Sequence, residues 1–169
     1  MKAVMQYKRF IMIGLALVVV FLLIIFGMKS CSGVSHKAPE SVVKSLIKAY
    51  GKGKENKVKD CYGVGKDTEQ ALQQEIDATI QYFKAHNTKK TEILNCDILS
   101  KDEQYAYVYI NYQLVLENEQ AYPCISTYMT CKKDGKYYIL PSSQITDEMR
   151  KQAAADYAKF MTTNIYKNY

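Results

Sequence analysis

The sequence predicts an α+β protein: an N-terminal transmembrane helix, then helices packed on a curved antiparallel sheet of about four strands, with a C-terminal helix. Three observations predict it. Residues 10–28 are an uncharged run rich in Leu, Ile, Val and Phe. Residues 39–85 repeat apolar side chains at helical spacing. Residues 92–140 change to a two-residue period rich in Tyr, Val and Ile.

The first element is Phe10–Met28, nineteen residues without a charge. As a helix it spans ~28 Å, close to the hydrocarbon core of a bilayer. Lys2, Lys8 and Arg9 precede it with no acid among them. The positive-inside rule therefore keeps residues 1–9 as a cytoplasmic tail and exports the rest. A cleaved signal peptide is the second reading, but the run is long for one, and Gly27-Met28-Lys29-Ser30 makes a poor small-x-small site. A lipoprotein anchored through Cys31 is the third. Ser30-Cys31-Ser32-Gly33 resembles a lipobox, while Met28 and Lys29 stand where an aliphatic and a small residue belong. All three readings place the domain outside the cytoplasm, and the uncleaved anchor and the lipoprotein hold it at the cell membrane.

Residues 29–38 read as a short polar linker, and 39–169 as one extracytoplasmic domain. The net charge of +6 misleads, because residues 31–169 carry 19 basic and 17 acidic side chains. That balance excludes a nucleic-acid footprint. The five cysteines, Cys31, Cys61, Cys96, Cys124 and Cys131, have no metal-ligand spacing. Cys124 and Cys131 point to opposite faces of one strand and cannot bridge each other. A helix-to-sheet disulfide from Cys61 and buried thiols acting as small apolar groups both remain open.

Pro39 and Glu40 suit the first turn of a helix that buries Val42, Val43, Leu46, Ile47 and Tyr50 and ends at Gly51-Lys52-Gly53. A shorter helix is expected over 55–62. Asp67 with Gln70 three residues on reads as a capping box for a third helix, whose stripe is Leu72, Ile76, Ile80 and Phe83. It should end near His86-Asn87. Strands follow at 92–99 and 104–117. The second puts Ala106, Val108, Ile110, Tyr112, Leu114 and Leu116 on one face and Tyr105, Tyr107 and Tyr109 on the other. A four-residue loop at 118–121 sets Tyr112 opposite Thr127 and Ile110 opposite Met129. Ile125, Thr127, Met129 and Cys131 then join the apolar face, and Tyr128 joins the tyrosine face. Asp134-Gly135 signals a hairpin turn, and 136–140 returns as a strand. Thr146 caps a final helix over 147–166, with a stripe of Met149, Ala153, Tyr157, Phe160 (or Met161) and Ile165.

Helices first, then a meander ending in Lys132-Lys133-Asp134-Gly135-Lys136-Tyr137-Tyr138-Ile139, resembles the nuclear transport factor 2-like (cystatin-like, cone-shaped) superfamily in a membrane-anchored, extracytoplasmic bacterial form of unknown function. The last segment is similar to the K-x-DGKW-x-V ending of exported bacterial members, with Tyr137 or Tyr138 in place of Trp. The resemblance covers about residues 38–141; the C-terminal helix is not a general family feature. It implies a cone between helices and sheet, in which enzymes of the superfamily place an acid or a histidine. A related shape forms the exported domain of an assembly subunit in type IV secretion and conjugation machines.

Little in the chain points to a reaction. There is no Gly-rich phosphate loop, nucleophile elbow or HExxH. His36 falls in the linker, His86 at a helix end, and Asp97 on a strand of unfixed register. No catalytic residue, metal ligand or cofactor is assigned. Tyr112 is a core tyrosine or lines the cone. Lys44, Lys48, Lys52, Lys54, Lys57 and Lys59 form a basic run that faces solvent, anionic lipid or wall polymer. Tyr105, Tyr107, Tyr109 and Tyr128 form an aromatic patch suited to a homodimer or an envelope-protein partner, unless the C-terminal helix folds over it. The reading that follows is a non-catalytic, membrane-anchored binding or scaffold domain of the bacterial cell envelope. A subunit of a conjugation or type IV secretion-like machine and a ketosteroid-isomerase-like enzyme are the alternatives.

Overall fold

The structure is a computed structural model that describes residues 33–65 and 67–169. The expected anchor at 10–28 and Cys31 lie outside the described residues. Among those described, no helix is long and apolar enough to cross a membrane. Val34–Tyr169 forms one compact unit, so chain assigned to the linker is part of the fold. Val34 packs against the core. His36 accepts the Tyr137 N–H on its carbonyl (3.0 Å), and its ring bonds the Tyr137 carbonyl through Nδ1 (2.7 Å) and approaches Asp60 (3.5 Å).

Three helices come first. α1 (Pro39–Gly51) starts on its proline and buries Val42, Val43, Leu46, Ile47, Ala49 and Tyr50. α2 (Glu55–Tyr62) buries Val58, Cys61 and Tyr62 and ends on Gly63, which takes the left-handed conformation (φ 69°) a C-terminal cap requires. α3 (Gln70–Ala85) buries the expected Leu72, Ile76, Ile80 and Phe83. Its expected capping box does not form. The helix starts at Gln70 without a side-chain cap, and the Thr68 hydroxyl instead donates to the Gly65 carbonyl (2.7 Å).

Four strands follow as an antiparallel meander in the order β1 (Thr88–Lys101), β2 (Tyr105–Leu116), β3 (Ala121–Lys133) and β4 (Lys136–Ile139). β1 is longer than expected and carries three register shifts against β2; such bulges bend a strand and give the sheet its curvature. Asp134 (φ 51°) and Gly135 (φ 74°) form the tight β3–β4 turn. These three helices pack on one face of the sheet around a core that includes Ile110, Tyr112 and Ile139.

The β2–β3 register differs from the expected one. Tyr112 faces Cys124 and Ile110 faces Ser126. The loop is three residues, not four: Leu116 N–H donates to the Gln120 carbonyl (2.9 Å) and Glu119 sits at φ 64°. This is a type of hairpin that normally advertises itself with glycine at that position. The slip is odd, so every β3 side chain changes face. Cys124, Ser126, Tyr128 and Thr130 lie toward the helices, and Ile125, Thr127, Met129 and Cys131 lie away from them.

The C-terminal helix also differs. α4 (Asp147–Met161) is capped by Thr146, whose hydroxyl accepts the Met149 N–H. It stops early because Thr162 and Thr163 bond back to the Lys159 and Phe160 carbonyls (both 2.7 Å), and Thr163 caps a new turn, α5 (Asn164–Lys167). Ile165 and Met161 are left exposed. The buried positions are Phe160 and, unexpectedly, Asp156.

Candidate functional site

The two faces of the sheet carry different sites. On the helix side, α3 stands off from the upper part of β2 and β3 and leaves a cleft of about 590 Å³. Tyr112 and Phe83 stack 6.2 Å apart at its base. Thr79, Tyr82, Ser126 and Tyr128 line its walls, and Tyr169 reaches its rim. Burial pushes the Tyr112 phenol up to about 12, with Ser126 hydrogen-bonded to it at 3.4 Å. Burial also raises Tyr128 above the ordinary phenol range. Both hydroxyls are therefore neutral at physiological pH, and the cleft presents them as hydrogen-bonding groups without charge.

Deeper in the same layer is a polar chain that sequence reading missed. The Tyr50 and Tyr62 hydroxyls share a hydrogen bond (3.4 Å), Tyr62 donates to Glu75 Oε1 (3.2 Å), and Ser142 donates to Glu75 Oε2. Burial pushes Tyr50 up to about 12 and raises Tyr62 further. Glu75 was hidden because it follows a helical stripe at a spacing that reads as half-exposed; only the return of Ser142 after β4 gives its second oxygen a partner. Glu75 is not among the residues lining the cleft.

On the outer face the expected tyrosine patch is divided. Tyr128 is not part of it, since the three-residue loop turns it toward the helices, opposite Val108. Tyr109 is covered by α4: its ring lies 4.4 Å from that of Phe160, and its buried hydroxyl has no partner. Tyr105 and Tyr107 stay partly open. With Met129, Met149 and Ala153 they line a groove of about 400 Å³ between α4 and the sheet, and Tyr107 donates to the Thr127 hydroxyl (3.0 Å). Asp156 ties α4 down: bonds from Ser100 first, then Gln152, hold its carboxyl below the usual range.

The remaining candidates are structural. His86 donates from Nδ1 to the Tyr82 carbonyl (2.8 Å) at the end of α3. Asp97 lies across from Tyr109, exposed, and accepts the Ile98 N–H (2.8 Å). Cys61, Cys96, Cys124 and Cys131 are free thiols, and burial pushes Cys61 and Cys96 up to about 12. Among the described residues no three His, Cys, Asp or Glu side chains converge on a metal position.

No protein-family model matches the chain, and no curated protein matches it in sequence. Solved structures resemble it in outline. A protein named Rd1NTF2_05 aligns over 58% of this chain and 88% of its own at 16% identity, with a TM-score of 0.45. RPA3114, a SEC-C motif containing protein from Rhodopseudomonas palustris, covers 63% and 78% at 13% identity and a TM-score of 0.45. A protein from Campylobacter jejuni described as an NTF2-like transpeptidase covers 61% and 94% at 15% identity and a TM-score of 0.36. No residue role is carried over from any of them.

Proposed function

We propose that this chain is a membrane-anchored, extracytoplasmic binding domain whose helix–sheet cleft holds a small, neutral, partly aromatic molecule. The observation that carries the reading is the cleft itself: about 590 Å³ between α3 and β2–β3, walled by Tyr82, Phe83, Tyr112 and Tyr128. Stacked rings supply apolar area and hydroxyls fix orientation, the usual composition of a small-molecule pocket. Its lining side chains are neutral at physiological pH, which disfavours ionic ligands and leaves no general base at the walls. On that ground we read the domain as non-catalytic. The anchor reading rests on the charge-free run Phe10–Met28 and the basic residues before it.

The test is to fill the cleft. Ser126→Trp places an indole where the ligand is expected to sit. Wild-type protein and this variant are expressed with their membrane segment, extracted from envelopes and compared by native mass spectrometry. A small molecule retained by the wild type and lost from a folded Ser126→Trp supports the reading. Equal retention, or none by either protein, refutes it.

A further inference from the structure

The two edges of β3 have different fates. Leu116 N–H donates to the Gln120 carbonyl (2.9 Å) and Lys132 N–H to the Gln104 carbonyl (2.7 Å). In an antiparallel ladder of that phase, even-numbered β3 residues bond to β2 and odd-numbered ones turn their N–H and C=O the other way. The bond from Leu140 N–H to the Met129 carbonyl (2.8 Å) confirms the phase. Yet β4 pairs only with Thr130–Lys133. Pro123, Ile125 and Thr127 therefore aim their main-chain groups at an edge that no strand occupies among the described residues. Among the described residues it is Tyr169 that reaches this edge: its hydroxyl donates to the Pro123 carbonyl (3.0 Å) and accepts from the Ile125 main chain.

We propose that this edge is a self-association surface, on which two copies of the chain pair their β3 strands antiparallel about a two-fold axis at Ile125, and that Tyr169 is a cap each copy releases first. The occupant follows from the strand's own chemistry. Ala121–Thr130 (AYPCISTYMT) carries no charged side chain, so self-pairing opposes no like charges. Exposed edges are ordinarily protected by charges, by proline or by a cover; this one has no charge, and its protection is Pro123 and the releasable Tyr169 cap.

The register about Ile125 pairs the outward groups of residues 123–127 except the Thr127 carbonyl, which faces the other copy's Pro123. Each Ile125 N–H meets the other copy's Ile125 carbonyl, and each Thr127 N–H meets the other's Pro123 carbonyl. Proline has no N–H to leave unpaired at that position. Such an interface is isologous and closes on itself as a dimer. Tyr169 competes directly, because the Pro123 carbonyl and Ile125 N–H that it holds are the groups the partner strand needs. Pairing needs no ligand in the cleft, although Pro123, Ile125 and Tyr169 also line the cleft, so release of Tyr169 opens its rim.

The experiment measures the mass of the full chain in detergent micelles by light scattering corrected for bound detergent, over a range of protein concentration. Tyr169→Ala is expected to tighten dimerisation roughly thirtyfold, the equivalent of one ordinary hydrogen bond released by each of the two copies. Adding Ile125→Lys sets like charges on the two-fold axis and returns the monomer. Thr127→Pro removes an outward N–H while sparing the β2 ladder, and does the same. Circular dichroism confirms that each variant is folded; if Thr127→Pro is not, Ile125→Lys decides. A Tyr169→Ala chain that stays monomeric throughout overturns the proposal, as does a dimer that survives either edge substitution.

Discussion

Two buried tyrosines with opposite hydrogen-bonding states give the sharpest check on the packing. Tyr109, 3% exposed, has a hydroxyl without a partner beneath Phe160. Tyr62, 6% exposed, bridges Tyr50 and Glu75. The same chemical change, Tyr→Phe, removes a liability at one site and a junction at the other. An unsatisfied buried hydroxyl costs about 1–3 kcal/mol, so Tyr109→Phe should be neutral or stabilise by about 1 kcal/mol. Tyr62→Phe leaves the Glu75 carboxylate and the Tyr50 hydroxyl short of a partner in a low-dielectric layer, and should cost about 1–3 kcal/mol. In a domain of this size the two variants should move Tm in opposite directions by about 3–5 °C per kcal/mol. The assay is thermal and urea unfolding of residues 33–169, followed by near-ultraviolet circular dichroism of the tyrosines. A fall in stability above ~1 kcal/mol for Tyr109→Phe would refute the reasoning, because the hydroxyl would then be bonded in solution. A Tyr62→Phe variant as stable as wild type would remove the polar chain from the account.

Three further outcomes are expected. Asp156 has its folded value below the ordinary 3.8, so its bonds to Ser100 and Gln152 stabilise the seat of α4 above the unfolded value and are lost as pH falls through the folded one; Asp156→Asn should flatten the acid limb of the unfolding profile below about pH 4. The buried Cys61 and Cys96 thiols, pushed up to about 12, should react with a thiol reagent far more slowly than Cys124 and Cys131 in native protein, and mass spectrometry that finds them labelled first would count against the core described here. Gly63→Ala forces a side chain into a left-handed position (φ 69°) whose Cβ would lie 2.7 Å from the Tyr138 ring, and should destabilise by about 1–2 kcal/mol in a urea titration.

The helical half of the domain was legible because its signals are local. Pro39, the Gly51-Lys52-Gly53 stop and the stripe Leu72, Ile76, Ile80, Phe83 state their own period, and the helices bury those residues. Asp134-Gly135 declared its turn in the same way. What depends on one strand's alignment with another was not legible. Ile125, Thr127, Met129 and Cys131 looked at least as apolar as Cys124, Ser126, Tyr128 and Thr130, so pattern did not choose between faces. Glu119, rather than glycine, holds the left-handed position that shortens the loop.

That one conformation decides the chemistry of both faces. It carries Tyr128 into the cleft beside Tyr112 and takes it out of the outer patch. It also sets which β3 groups face the open edge. Tertiary packing likewise gave Glu75 its two hydroxyl partners and placed α4 over Tyr109. By itself the sequence determined the order of helices and strands, the cores of the first three helices and the charge-free N-terminal run, since each follows from spacing within a few turns of chain. Register, the covering of a face and the pairing of distant polar groups were decided only in three dimensions, because their energies come from neighbours that adjacent residues do not name.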